Sequence, residues 1–419
     1  MKTLAQIEPR TPIGSLPFTI VAAGSYYLTT NLTGGAGQNG IAIQTDHVSV
    51  DLNGFSLTGT ANALKGIPVS GPRSNISIRN GMVSGWAVGI DAESGSHCQF
   101  ESLKFFDNTT HGISAGASSM IANCVAYLNE GIGIKADRES TIKDCTARGN
   151  TLDGIRAGLG SKITSCTASF NSGTGITTDG NCLISGSSAL NNASSGIVTA
   201  NQAQVTGTSA SNNGASGISV STNSIVSNCF ASANTGSGVI TQESCQITGV
   251  IVSQNTQSGI VADHDNNVSN CSASNNMENG IVAGSNSQVI NCKAQNNAKA
   301  GIRVGNGSTV RGCTAQRNIG DGISVTTECT VASNQSNNNF NVRDSAGIHA
   351  SGTDNNIKEN TVISSDRGIS ADVAGNIILK NTAANNTINY FLIGAQSLGL
   401  IFRGTNIVDA IHPWTNFEF

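Results

Sequence analysis

Charge is scarce in this chain. Lys and Arg number 22 and Asp and Glu 26 in 419 residues, a net charge of −4. There is no Lys/Arg cluster, so the counterion release that drives nucleic-acid binding has no source, and nucleic acid is excluded as a partner. Aromatic residues make up only 4%, and prolines number 6. No apolar run approaches the roughly 20 residues that span a bilayer, so membrane insertion is not expected. The opening residues MKTLAQIEPRTPIG lack the apolar core of a signal peptide. The chain is therefore expected to be a trimmed mature form, extracellular or at the cell surface, or else not exported by that route. Disorder is excluded, because Ile and Val recur throughout and net charge is small.

What is abundant is Gly, at 49 residues, together with Asn, Ser and Thr. Gly-Ile or Gly-Val dipeptides mark a period. Their glycines run from Gly112 through Gly133, Gly154 and onward to Gly322, always 21 residues apart. Gly40, Gly66 and Gly89 precede this series and Gly347 and Gly368 follow it, at intervals of 21 to 26. Counted from each glycine, Ile or Val stands at offsets 1 and 9, Cys or a small residue at 12, Ala at 14 and Asn at 17. The inward residues fall in pairs two apart, which is strand periodicity. A leucine-rich repeat is excluded, because no Leu occurs between residues 191 and 378.

These columns predict an all-β fold, a right-handed parallel β-helix with three short strands per 21-residue coil and about 16 coils. The helix is assigned to residues 40–389, with caps at 1–39 and 390–419, where most aromatic residues gather. The Asn column should form an amide ladder at a bend. The glycine of each Gly-Ile is expected to supply a positive-φ turn residue. Cys124, Cys145, Cys166, Cys229, Cys271, Cys292 and Cys313 share offset 12; Cys182, Cys245 and Cys329 share offset 7; Cys98 falls outside both. Stacked thiols roughly 4.8 Å apart lie too far apart for disulfides, so free buried thiols are expected. No Cys-x-x-Cys or Cys/His spacing suggests a metal.

The segments PFTIVAAGSYYLTTNLTG and GIAIQTDHVSVDLNGFSLTG resemble the opening of pectin-lyase-like right-handed β-helix proteins, including secreted β-helix-repeat and NosD-like groups. The resemblance implies the fold. It leaves function open, because that fold carries polysaccharide lyases, C5-epimerases, glycoside hydrolases, phage tailspikes and adhesins.

Candidate sites follow from outward-facing polar residues. Asp263, His264 and Asp265 in ADHDNN faintly resemble the Asp-Pro-His element of alginate C5-epimerases, though the Pro and a preceding Tyr-Gly are missing. They are the catalytic candidates, with calcium as a cofactor only if the protein is a lyase and no cofactor otherwise. Lys135 and Arg156 fall on successive coils at offset 2, near Asp137, Arg138 and Glu139, and form a positive spot suited to a uronic carboxylate. Arg343 and His349 lie in an irregular 25-residue interval and join them as carbohydrate-binding candidates. Val198, Ile240, Val261 and Val282 make an apolar outward stripe, the candidate interface for a homo-oligomer or fibre. The ten regular intervals admit no insertion that could wall a cleft. The leading expectation is a non-catalytic surface rod or glycan-binding module. The alternatives are a lyase, epimerase or hydrolase acting on acidic glycans, and a trimeric tailspike.

Overall fold

The computed structural model describes residues 9–340, 344–403 and 412–419; Arg343 lies outside them. The chain divides into two compact units, Met1–Gly214 and Ala215–Phe419. Each is a parallel β-solenoid with three strands per turn, and the turns number about 18 in all. Among the described residues no helix is long and apolar enough to cross a membrane.

In the first unit the stacked partners keep the predicted register. Ile134, Ile155, Ile176 and Ile197 follow one another in the first strand. Ile142, Ile163, Ile184 and Val205 do so in the second. Ala126, Ala147, Ala168, Ala189 and Ala210 do so in the third. All of them are fully buried, and each Ile contributes about 2–3 kcal/mol of apolar burial. At the N-terminal end the core widens to hold Trp86, Phe100 and Phe105, with Trp86 Nε1 donating to Leu57 O at 3.0 Å. The second unit repeats the arrangement, with Ile260, Ile281 and Ile302 in register, and its C-terminal strand Asn416–Glu418 pairs with Thr382–Ala384. In-register stacking puts equal side chains roughly 4.8 Å apart, where like charges repel. That is the physical reason charge is rare.

The turn count exceeds the 16 marked in the sequence. Phe18–Ile20 pairs in parallel with Ile41–Ile43, and Ile388–Leu392 pairs with Arg367–Ala371. These two turns escape the count because neither strand carries the Gly-Ile mark.

Each regular turn bends at three corners, and one residue at each corner has positive φ. In one turn of the second unit these are Asn286, Asn291 and Asn296, with φ of 54–56°. Asn tolerates the left-handed region better than most residues. The Gly-Ile glycines are not among them, which corrects the expectation from sequence. Gly280 is required for space instead: a Cβ there would lie 2.6 Å from Asn297 Nδ2 and 2.6 Å from Gly301 O. The backbone crosses directly over the amide ladder.

That ladder satisfies every amide it contains. Asn150 Nδ2 donates to Asn171 Oδ1 at 2.9 Å and to Ala126 O at 3.2 Å, while the Asn150 backbone N–H donates to the same Oδ1 at 3.0 Å. The cysteine column works similarly. Cys124 N–H donates to Cys145 Sγ at 3.4 Å, and Cys145 Sγ–H donates to Lys143 O at 3.1 Å. All eleven cysteines are buried free thiols. Cys98 belongs with the serine column after all, since its N–H donates to Ser119 Oγ at 3.3 Å; the irregular interval had hidden its alignment. Toward the C-terminus the cysteine column turns into Asn334, Asn360, Asn381 and Asn416, linked amide to amide at 2.9–3.2 Å.

Candidate functional site

Outward residues of the first strand carry the polar chemistry of both units. In the first unit, Asp91, Ser114, Lys135, Arg156 and Thr177 stack in register. Two residues further along their turns come Glu93, Gly116, Asp137, Gly158 and Asp179. The glycines leave hollows between the acids, and a groove of about 570 Å³ results, lined by Glu93, Lys135, Asp137, Arg156, Thr177 and Asp179 among others. Lys135 and Arg156 are adjacent as expected, but each has an acid of its own. Lys135 pairs with Glu93, which also accepts from Ser114 Oγ at 2.7 Å. Arg156 pairs with Asp153 at 2.7 Å. The Lys135 bond, helped by Ser114, holds the Glu93 carboxyl below the usual range. His111 accepts the Ile132 N–H on Nδ1 at 3.1 Å. Burial first, then the Lys135 charge, lowers its pKa. Asp137 and Asp179 are exposed, and among the described residues their carboxylates have no hydrogen-bond or ion-pair partner.

The second unit holds a groove of about 510 Å³, lined among others by Lys299, Arg303, Asp321, Ser324, Thr326 and His349. Arg303, Ser324, His349 and Ser370 occupy successive first strands. His349 is clamped from both sides: Nδ1 lies 2.8 Å from Asp321 Oδ2 and Nε2 lies 2.9 Å from Asp372 Oδ2. The Asp321 hydrogen bond is the main cause that raises its pKa to about 9, against the opposing effect of burial. An imidazolium with both N–H groups committed cannot serve Ser324 as a base, so the cluster is no nucleophilic triad. Asp344 pairs with Arg367 at 2.8 Å, and Arg367 lies 3.6 Å over the Phe391 ring. Arg303 is exposed and has no hydrogen-bond or ion-pair partner among the described residues.

The sequence had pointed to His349 but not to Asp321, Asp372 or Arg303. Arg303 was legible, since it shares the offset-2 column with Lys135 and Arg156. The two aspartates were not, because the 25-residue interval breaks the count that would align them. Asp263, His264 and Asp265 line neither of these grooves. Their turn is an open corner, with Asp263 and His264 side chains both 52% exposed and 3.2 Å apart, and Asp265 at φ 59°. His264 Nδ1 accepts the Ser285 N–H at 3.1 Å. Ile240, Val261 and Val282 stack in register and are half-buried on the second unit. Val198 lies on the first, beside Thr177. Among the described residues no three His, Cys, Asp or Glu side chains converge on one point.

Several solved structures match the chain at low identity. The mannuronan C-5 epimerase AlgE4 A-module of Azotobacter vinelandii matches at 13% identity over 89% of this chain and 90% of that one, with a TM-score of 0.26. The periplasmic alginate epimerase AlgG matches at 10% identity over 90% and 79%, with a TM-score of 0.33. Pectate lyase Pel9A matches at 11% over 67% and 68%, with a TM-score of 0.28. No curated protein matches the sequence. The family model for a right-handed β-helix region matches residues 20–162, 65–209, 159–289 and 239–388. With its parallel three-stranded turns and its asparagine ladder, the chain belongs to the right-handed β-helix family.

Proposed function

We propose that this chain is an extracellular or cell-surface β-solenoid that binds acidic polysaccharide along the outward face of its first strands, without catalysing a reaction on it. The observation that carries the reading is Arg303. Its guanidinium is unpaired among the described residues and stands in a groove lined also by Ser324 and Ser351. That combination suits a uronate: a fork for the carboxylate and hydroxyls for the ring. The acids beside Arg303 in that groove are already occupied, Asp321 by His349 and Asp344 by Arg367. Calorimetric titration with oligogalacturonate and oligomannuronate, against neutral oligoglucans, tests the reading. Arg303→Ala should weaken acidic-glycan binding about tenfold, the loss of roughly 1.4 kcal/mol. Wild-type protein that binds no acidic glycan would end the proposal.

A hydrolytic reading is favoured by Asp137 and Asp179. They stand two turns apart with Gly158 between them, a Cα separation of roughly 9–10 Å, close to the carboxylate spacing of inverting glycosidases. Release of reducing ends from a uronan, abolished by Asp137→Asn and Asp179→Asn, would replace binding with catalysis. Self-association through Ile240, Val261 and Val282 is compatible with either reading. A light-scattering mass of one chain at all concentrations would remove it.

A further inference from the structure

A different face of the first unit carries an unexplained exception to the repeat. The third corner of each turn, one residue before the ladder asparagine, has positive φ throughout. Its occupants are Asn191 and Asn212 later in the first unit, and Ala233, Gln254, Asn275, Asn296, Arg317 and Asn338 in the second. Between Asp107 and Asn191, however, the column reads Leu128, Gly149, Phe170. Leu128 and Phe170 both have φ of 55°, a region that bulky side chains avoid. They are also 59% and 54% exposed. Backbone strain and apolar exposure fall on the same two residues, and nothing in the core benefits. Such an outlier points to function.

The surroundings say what kind. Phe106, Tyr127 and Arg148 are successive partners in the third strand. The Phe106 and Tyr127 rings stack at 5.0 Å and 10°, so Phe106 backs the Tyr127 ring on one face. The Arg148 guanidinium lies 5.1 Å over the Phe170 ring. Between them is a hollow of about 510 Å³ lined by Val125, Tyr127, Leu128, Thr146, Arg148 and Gly149. Neither the Tyr127 hydroxyl nor the Arg148 N–H groups have a hydrogen-bond or ion-pair partner among the described residues. Lys104, exposed one turn before Val125, adds a second unpaired cation.

We infer that this hollow is a second saccharide site, taking one acidic pyranose unit with its ring against Leu128 and Tyr127 and its carboxylate on Arg148. The Tyr127 ring and the Leu128 side chain present the apolar surface that a pyranose face needs, and the guanidinium, placed over Phe170, supplies the fork for an anion. Asp107 precedes Leu128 in the corner column, so the carboxylate belongs at the Arg148 end. The inference deepens the proposed function and rests on it, since the ligand is the same class of polymer held on a separate face.

The chain has 4 tyrosines, so incorporation of 3-fluorotyrosine gives a readout local to this site, with the Tyr127 fluorine signal assigned by Tyr127→Phe. Addition of a tetrauronate should shift that signal saturably. Arg148→Ala, and separately Leu128→Asn with Phe170→Asn, should weaken the effect at least tenfold, whereas Arg303→Ala should leave it intact. The double variant restores the residue favoured by the repeat, so it should melt no lower than wild type. An unmoved Tyr127 signal while calorimetry still records acidic-glycan binding would overturn this site and leave the proposed function standing. No binding anywhere would overturn both. An equal shift with a neutral oligoglucan would overturn the assignment to an acidic sugar. A shift caused by rising protein concentration alone would make the face a contact between copies instead.

Discussion

Gly280 has no room for a methyl group, and the reason lies one turn away in Asn297 and Gly301. Gly280→Ala should lower unfolding free energy by about 1–3 kcal/mol through overpacking, measured by denaturant titration. Gly186 differs in kind. Its φ is +56°, and a Cβ added there would meet nothing closer than 3.9 Å. Asn occupies the same corner at Asn123, Asn228, Asn270 and Asn291, so Gly186→Asn should be close to neutral. If both substitutions cost the same, the distinction between a glycine chosen for space and one chosen for dihedral angle is lost. The sequence could not make that distinction, because both kinds recur at fixed offsets and only a contact across turns separates them.

Among the elements, most corners carry an inward side chain that accepts a backbone N–H from the preceding turn and donates to a carbonyl, Ala203 and Val250 being exceptions. Ser, Cys and Asn all do this. Ser287 N–H donates to Ser308 Oγ at 3.1 Å in one column, and Cys292 N–H donates to Cys313 Sγ at 3.4 Å in another. Cys292→Ser should therefore change stability by no more than about 1 kcal/mol. Asn297→Ala removes the acceptor of the Asn276 N–H and Nδ2 groups and the donor to Ala273 O. It should cost at least about 2 kcal/mol, since buried donors are left unsatisfied. Equal losses from the two variants would mean that the thiols matter for more than this exchange of hydrogen bonds. The period, the three strands, the asparagine ladder and the buried thiols were all legible in sequence, because each column repeats a side-chain type. The corners were not, since Asp265, Leu128 and Gly149 share a backbone conformation but no chemistry. The clamp on His349 was not either, because its partners come from turns on both sides of an irregular interval.

On the scale of the whole chain, that clamp ties three successive turns of the second unit together. The folded pKa of His349 is raised to about 9, chiefly by Asp321, above its ordinary value near 6.5. The sign follows: the stabilisation is complete below the unfolded value and fades as pH rises through the folded one. The melting-temperature advantage of wild type over His349→Gln should thus shrink between about pH 7 and about pH 10. A pH-independent difference would show that the ring acts by packing alone. A last consequence concerns direction. Most amides in the asparagine columns direct one Nδ2–H toward the following turn, as Asn129 does to Asn150 and Asn297 does to Asn318. In the first unit Asn108 Oδ1 receives the Trp86 N–H, and in the second Asn339 gives its Nδ2–H to Ser336 Oγ rather than to another asparagine. Within each unit such a row of dipoles has a sense, so its two extremities are chemically unlike.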